Sequence, residues 1–206
     1  MSLNIFQTAM TQLPLVAILR GITPNEVIDI AQALKTEGFK IIEVPLNSPQ
    51  PYESIKRLVD TFGDELIIGA GTVLTCEQVD KIHAIGGKVI ISPNVNPDVI
   101  RLVKAKGLYC VPGFYTITEA FNAIDAGADG IKLFPADTLG AAGLKEVPVL
   151  PVGGVSNETI MGFLDVGAGG FGLGSGLYKA GMTVAQVTEN ARGYINAYRA
   201  AVNRKE

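Results

Sequence analysis

Histidine is nearly missing from this chain: the only one is His83. A metal centre built from several imidazoles is therefore excluded, and neither a metal nor any other cofactor is expected. Cysteine is scarce too. Cys76 and Cys110 stand far apart, make no disulfide framework, and point to a reducing, cytoplasmic setting. Neither sign of charge is in large excess, since 17 Lys and Arg face 20 Asp and Glu for a formal net charge of −3. No basic patch dominates, which argues against nucleic acid and anionic membrane as partners. No apolar run reaches the roughly 18 residues of a membrane-spanning helix, and the N-terminus lacks the basic segment and apolar run of a secretory signal. Charged residues make up only 18% of the chain and hydrophobic ones 48%, too apolar for disorder and enough for a large core. A length of 206 residues suits one domain, expected over residues 1–206.

Glycine, by contrast, is abundant: 24 of 206 residues, against a usual share of about 7%. The glycines punctuate eight short apolar runs, at 15–19, 40–44, 66–70, 88–92, 108–112, 130–134, 147–152 and 170–174. Most are rich in Val and Ile and almost continuously apolar, as expected of strands covered on both faces. Helical segments with readable ends lie between them. Thr23-Pro24-Asn25-Glu26 offers a cap, a proline and a glutamate for a helix stopping near Gly38. Thr75, Asn96, Thr116 or Thr118, and Ser156 open four more, which stop near Gly86, Gly107, Gly127 and Gly167. Leu3 to Gln12 reads as a short helix before the first strand, and Thr183 to Asn203 as the last outer helix. Eight strand-helix units predict a single-domain α/β fold, a closed parallel (β/α)8 TIM barrel with an extra N-terminal helix; an open doubly wound sheet is the alternative, disfavoured by eight near-equal units and the lack of an obvious edge strand. One unit is irregular. Only 11 residues separate Pro135 from Val147, short for a parallel crossover, so a shortened connection is expected after the sixth strand.

In such a barrel, functional groups sit at the C-terminal ends of the strands. Two ionisable residues stand inside apolar runs rather than at their openings. Lys132, within Ile131-Lys132-Leu133, is either a buried ion-pair partner or a desolvated amine able to attack a carbonyl. Glu43, in Ile42-Glu43-Val44, shares a strand face with Ile41 and Pro45. It reads as a structural counter-ion or as a general acid/base near Lys132. Strand 7 ends in Val152-Gly153-Gly154, and strand 8 in Gly172-Leu173-Gly174-Ser175-Gly176. These are tight turns or, in the two loops where this fold usually binds phosphate, an anion cradle of backbone N–H groups. Arg20 ends strand 1 and suits a substrate carboxylate or a place on the surface. Thr72 ends strand 3 and Pro93 ends strand 4. Gly167, Gly169 and Gly172 spell GxGxxG, but before and within a strand rather than after one, so no dinucleotide site is read there. His83 is expected at the surface, and Cys76 and Cys110 as packing residues.

Together these stretches resemble the class I aldolases that cleave 2-keto-3-deoxy-6-phospho sugar acids. The marks are AILRGITP (17–24), IIEVPLNSP (41–49), IIGAGTVL (67–74), ISPN (91–94), VPGFYTITEA (111–120), IKLFPA (131–136), PVGGV (151–155) and GLGSGLY (172–178). The resemblance implies that Lys132 forms a Schiff base and Glu43 is the general acid/base. It implies Arg20 and Thr72 on the pyruvyl carboxylate, and Gly153, Gly154, Gly174 and Ser175 on the phosphate. Pro93, Phe134 and Val152 complete the substrate-binding set. It also implies pyruvate and glyceraldehyde 3-phosphate as products, and a homotrimer. Two features favour the galactonate series over the gluconate series: Val44-Pro45-Leu46-Asn47 lacks the arginine that follows the glutamate in the gluconate type, and Val152 replaces its threonine. The gluconate epimer, or a sugar-phosphate isomerase or decarboxylase on the same barrel, are the alternatives. An isomerase or decarboxylase would form no reducible imine, and a non-enzymatic phosphate-ligand binder would show no turnover.

Overall fold

The computed structural model describes residues 5–139 and 149–204. Its strands are β1 (Leu15–Ile18), β2 (Ile41–Pro45), β3 (Ile67–Gly71), β4 (Val89–Ile91), β5 (Tyr109–Val111), β6 (Gly113–Phe114), β7 (Ile131–Leu133), β8 (Val149–Pro151) and β9 (Phe171–Leu173). They form two sheets, ordered β5-β4-β3-β2-β1-β9 and β6-β7-β8, and every pair is parallel. Single bridges Val149↔Ala168 and Val152↔Gly172 link the second sheet to the β9 side of the first. The result is a TIM-barrel-like α/β fold.

The run at 108–112, read from sequence as one strand, pairs with β4 and stops at Pro112; a further short strand, β6, begins beyond it and pairs with β7. Proline brings no N–H to a ladder, so the break falls there. The Pro112 carbonyl still accepts a hydrogen bond from the Lys132 N–H at 2.9 Å.

Nine helices surround the strands among the described residues: α1 (Ile5–Gln12), α2 (Val27–Glu37), α3 (Pro51–Phe62), α4 (Cys76–Ala84), α5 (Pro97–Ala105), α6 (Ile117–Asp125), α7 (Ala136–Leu139), α8 (Ile160–Asp165) and α9 (Val184–Asn203). The abbreviated crossover expected between Pro135 and Val147 falls, beyond α7, outside the described residues. So do Leu3 and Asn4 of the N-terminal segment.

Thr75, Thr116 and Thr183 each form a reciprocal capping box with the residue three positions on, and the Asn96 side chain caps α5. Gly38 ends α2 in the left-handed conformation. Two expected starts move. The helix read from Thr23 begins only at Val27, because the Glu26 carboxylate is engaged elsewhere: one oxygen accepts from the Thr23 hydroxyl and the other from Tyr178. The helix read from Ser156 begins at Ile160. The Ser156 hydroxyl donates to Glu158 at 2.6 Å instead of accepting from the first helical turn. Helix α3 carried none of the usual capping residues, for its entry is a left-handed Gln50 followed by Pro51.

Strand parity divides the core. Ile42, Val44, Ile68, Ile131 and Leu133 face outward and pack with Ile30 and Leu34 of α2 and Ile55 and Leu58 of α3. Val16, Ile41, Ile67, Val89, Val111 and Leu150 face inward, and Phe6 and Ala9 of α1 pack onto that inner cluster. Phe6 stacks on Tyr109 with ring centroids 4.9 Å apart. Side chains alternate along a strand. With Ile42 and Val44 outside, Glu43 turns inward; with Ile131 and Leu133 outside, so does Lys132.

Candidate active site

Lys132 is 7% exposed and Glu43 2%. Lys132 lines a crevice of about 10 Å³ with Val16, Ile18, Ile91, Val111, Leu150, Val152 and Gly172. Such a space holds about one water. Its walls are otherwise apolar, so an ammonium there loses hydration that nothing fully replaces. Burial pushes the Lys132 pKa well below that of an ordinary lysine, opposed by the Glu43 charge and assisted by Arg20. The Lys132 Nζ also lies 4.8 Å from the Phe134 ring centroid, over a face that attracts cations. Burial is the larger influence.

Glu43 shifts the other way. Burial raises its pKa, while Lys132, Arg20 and the Gly71 backbone pull it back. Its Oε2 is buried without a hydrogen-bond partner. The two residues therefore sense each other's charge, yet this oxygen remains open to accept a proton. Each is displaced toward neutrality, the state a buried amine needs in order to attack and a carboxyl group needs in order to donate.

Gly71 makes room for that carboxylate, since a Cβ there would stand 2.0 Å from Glu43 Oε2. Gly71→Ala is expected to displace Glu43, lower the melting temperature by an overpacking cost of about 1–3 kcal/mol, and cut turnover at least tenfold. Parental kcat in a folded Gly71→Ala protein would show that the Glu43 position is immaterial.

Above the crevice opens a cleft of about 390 Å³. It is lined by Arg20, Phe134, Val152, Gly153, Gly154, Gly174 and Ser175, all read from sequence as site residues, and shares Ile18, Val152 and Gly172 with the crevice below. Gly153 and Gly154 have φ of 101° and 65°, a region that L side chains rarely adopt. A Cβ on Gly174 would meet nothing within 4 Å, so that backbone faces open space. Thr72 and Pro93, at the ends of β3 and β4, are half-buried and do not line this cleft. Thr72 is nonetheless unusual: φ of 58° in a β-branched residue is strained, and such outliers gather at functional sites.

Arg20 is exposed, and its Nη1 donates to Asn47 Oδ1 at 2.6 Å. The next residue, Gly21, donates its N–H to the Ser48 hydroxyl at 2.9 Å. The loop after β2 thus holds the loop after β1. Sequence reading singled out neither Asn47 nor the cleft residues Tyr178 and Lys179. Lys179 had a usable signal, a basic residue just beyond a glycine-rich turn; Asn47 had none.

His83 is exposed on α4, Cys76 is half-buried, and Cys110 is buried with its thiol pushed up to about 12, chiefly by burial. Such a thiol is inert packing at neutral pH.

Known proteins are similar to this chain in sequence and fold. The family model described as KDPG and KHG aldolase matches residues 6–193. The 2-dehydro-3-deoxy-6-phosphogalactonate aldolase of Escherichia coli (strain K12) is 44% identical over 200 residues, covering 93% of this chain and 98% of that one. A protein of Rhizobium meliloti (strain 1021), described as a probable 2-dehydro-3-deoxy-6-phosphogalactonate aldolase, is 46% identical over 193 residues, or 90% of this chain and 91% of that one. A solved structure described as native KDPGal superposes with a TM-score of 0.91 at 44% identity, covering 93% of this chain and 97% of the other. Identity of this order, sustained along nearly the full length of both partners, makes this chain a member of the KDPG and KHG aldolase family.

Proposed function

We propose that the protein is a carbon–carbon lyase that cleaves 2-dehydro-3-deoxy-6-phosphogalactonate to pyruvate and glyceraldehyde 3-phosphate through a Schiff base on Lys132. The observation that carries this is a strand lysine and a strand carboxylate, buried together inside the barrel below a glycine-walled cleft. The similarity to galactonate-series aldolases along nearly the whole chain supports this epimer over the gluconate one. It also disfavours an isomerase or decarboxylase.

Neutral Lys132 attacks the C2 ketone, and loss of water leaves an iminium. Glu43 takes the proton of the C4 hydroxyl. The C3–C4 bond breaks, its electrons enter the iminium to give an enamine, and the aldehyde departs. Glu43 returns its proton to C3, and water hydrolyses the iminium to free pyruvate. Arg20, in the cleft wall, pairs with the carboxylate end. The N–H groups around Gly153, Gly154, Gly174 and Ser175 hold the phosphate. Phe134 and Val152, which line the cleft, flank the carbon chain. Binding energy from the two charged ends positions the ketone over the amine.

Pyruvate plus borohydride tests this directly, with a reduced three-carbon adduct expected on Lys132. An adduct on another lysine, or none in protein that cleaves substrate, defeats the assignment. Imine formation needs the unprotonated amine, so the trapping rate rises with pH. Because burial lowers the Lys132 pKa, the midpoint is expected well below the ~10.4 of a free lysine. A midpoint at that ordinary value would mean the amine is hydrated.

The homotrimer belongs to the same proposal. Ile117, Phe121 and Ile124, at helical spacing on α6, are 77%, 56% and 40% exposed, and Tyr115 beside them 47%. A contiguous apolar face of this kind suits contact with further copies of the chain. Phe121→Glu is expected to convert the trimer to monomers by light scattering. An unchanged mass, or a monomeric parent, would refute it. Two free cysteines fit a reducing cytoplasm, and among the described residues no helix is long and apolar enough to cross a membrane.

A further inference from the structure

Three loops surround the cleft: one after β1 that carries Arg20, one after β8 with Gly153 and Gly154, and one after β9 with Gly174 to Ala180. Two tyrosine hydroxyls fasten them. Tyr178 is 1% exposed, and its hydroxyl donates to Glu26 Oε1, across from the β9 loop to the β1 loop. Glu26 in turn accepts from the Thr23 hydroxyl at 2.8 Å. Contact continues at Gly21, where a Cβ would stand 3.3 Å from the Ala180 side chain. Tyr194, on α9, donates to the Val155 carbonyl in the β8 loop at 2.9 Å. The same hydroxyl lies so close to the β9 loop that a Cβ on Gly176 would be 2.0 Å from it.

We propose that Tyr178 and Tyr194 are positioning residues that set the spacing of these loops, and with it the distance between the cation at one end of the cleft and the backbone N–H groups at the other. The inference rests on the function proposed above, in which the substrate carries an anion at each end. Glycine-rich backbone is intrinsically loose. Loops rich in Gly153, Gly154, Gly174 and Gly176 hold no fixed cradle unless something outside them supplies order. Both hydroxyls are reached from elements distant in sequence, and both bonds are partly shielded from water, where a donor or acceptor left without its partner is costly.

The test compares Tyr178→Phe and Tyr194→Phe with the parent. Each keeps the ring and removes one hydroxyl. Three readouts are taken: KM and kcat for the phosphorylated substrate, the Kd of inorganic phosphate by titration calorimetry, and the rate of borohydride trapping with pyruvate, which has no phosphate. Expected are a KM raised about tenfold, a phosphate Kd weakened by a similar factor, and trapping within twofold of the parent. Glu26→Ala should reproduce Tyr178→Phe. Glu26→Gln, which keeps an oxygen acceptor for the hydroxyl, should restore most of the loss and serves if the tyrosine variants fold poorly. Unchanged KM and phosphate Kd would overturn the proposal, as would trapping that falls in step with cleavage, the mark of general structural damage. Absence of trapping in the parent would instead overturn the Lys132 assignment, and the phosphate Kd would still decide the role of the tyrosines.

Discussion

Lys132→Ala is expected to abolish cleavage, with kcat/KM falling on the order of 10⁵-fold or more, about 7 kcal/mol of transition-state stabilisation. The size follows from what is lost. Without the amine no iminium forms, and the C3–C4 electrons have nowhere to go. Lys132→Arg should be equally inactive, because a guanidinium does not deprotonate in a protein and cannot attack. Stability should respond the other way. A buried ammonium costs stability here, since it sits in an otherwise apolar crevice with the Glu43 charge only partly offsetting its lost hydration. Its removal lets Glu43, already displaced toward neutrality by burial, take up a proton. The melting temperature of Lys132→Ala should therefore match or exceed that of the parent. Cleavage within tenfold of the parent by pure Lys132→Ala protein would end the Schiff-base account.

Glu43→Gln should lower turnover by roughly 10²–10⁴-fold, the usual worth of a positioned proton-transfer group. The amide keeps the shape of the carboxylate above Gly71 but cannot accept the C4 hydroxyl proton. Pyruvate trapping should survive, because the lysine remains. Its pH profile should also move. The Glu43 charge raises the Lys132 pKa, so removing that charge lets the amine deprotonate more easily and shifts the trapping midpoint to lower pH. A shift to higher pH would mean the two groups do not face each other across the barrel. Full cleavage activity in Glu43→Gln would remove Glu43 from the chemistry altogether.

Much of this architecture was readable because it is written in local pattern. Val- and Ile-rich runs gave the strand positions, and Thr75 and Asn96 marked helix starts because a side-chain oxygen there satisfies free N–H groups of the first turn. Lys132 and Glu43 stood out because an ionisable residue in the middle of an apolar strand is costly and needs a reason. Features that depend on a distant partner were illegible. Helix α3 opens on a left-handed Gln50, which no capping residue announces. Glu26 looked like a capping glutamate until Tyr178, 152 residues away, took one of its oxygens. Arg20 looked equally suited to substrate or solvent, and its bond to Asn47 spans 27 residues.

The linear chain by itself determined the alternation of strand and helix, the single strand face shared by Ile41, Glu43 and Pro45, and the glycine turns after the last two strands. These follow from near-neighbour geometry: a period of two in a strand, and the stereochemistry of a residue without a Cβ. Only the tertiary structure decided that the amine and the carboxylate share one interior, that α1 packs onto the inner cluster, and that two tyrosines tie three loops round a single cleft. Burial, mutual charge and the shifted proton affinities that result are properties of groups brought together through space, and no local pattern of residues encodes them.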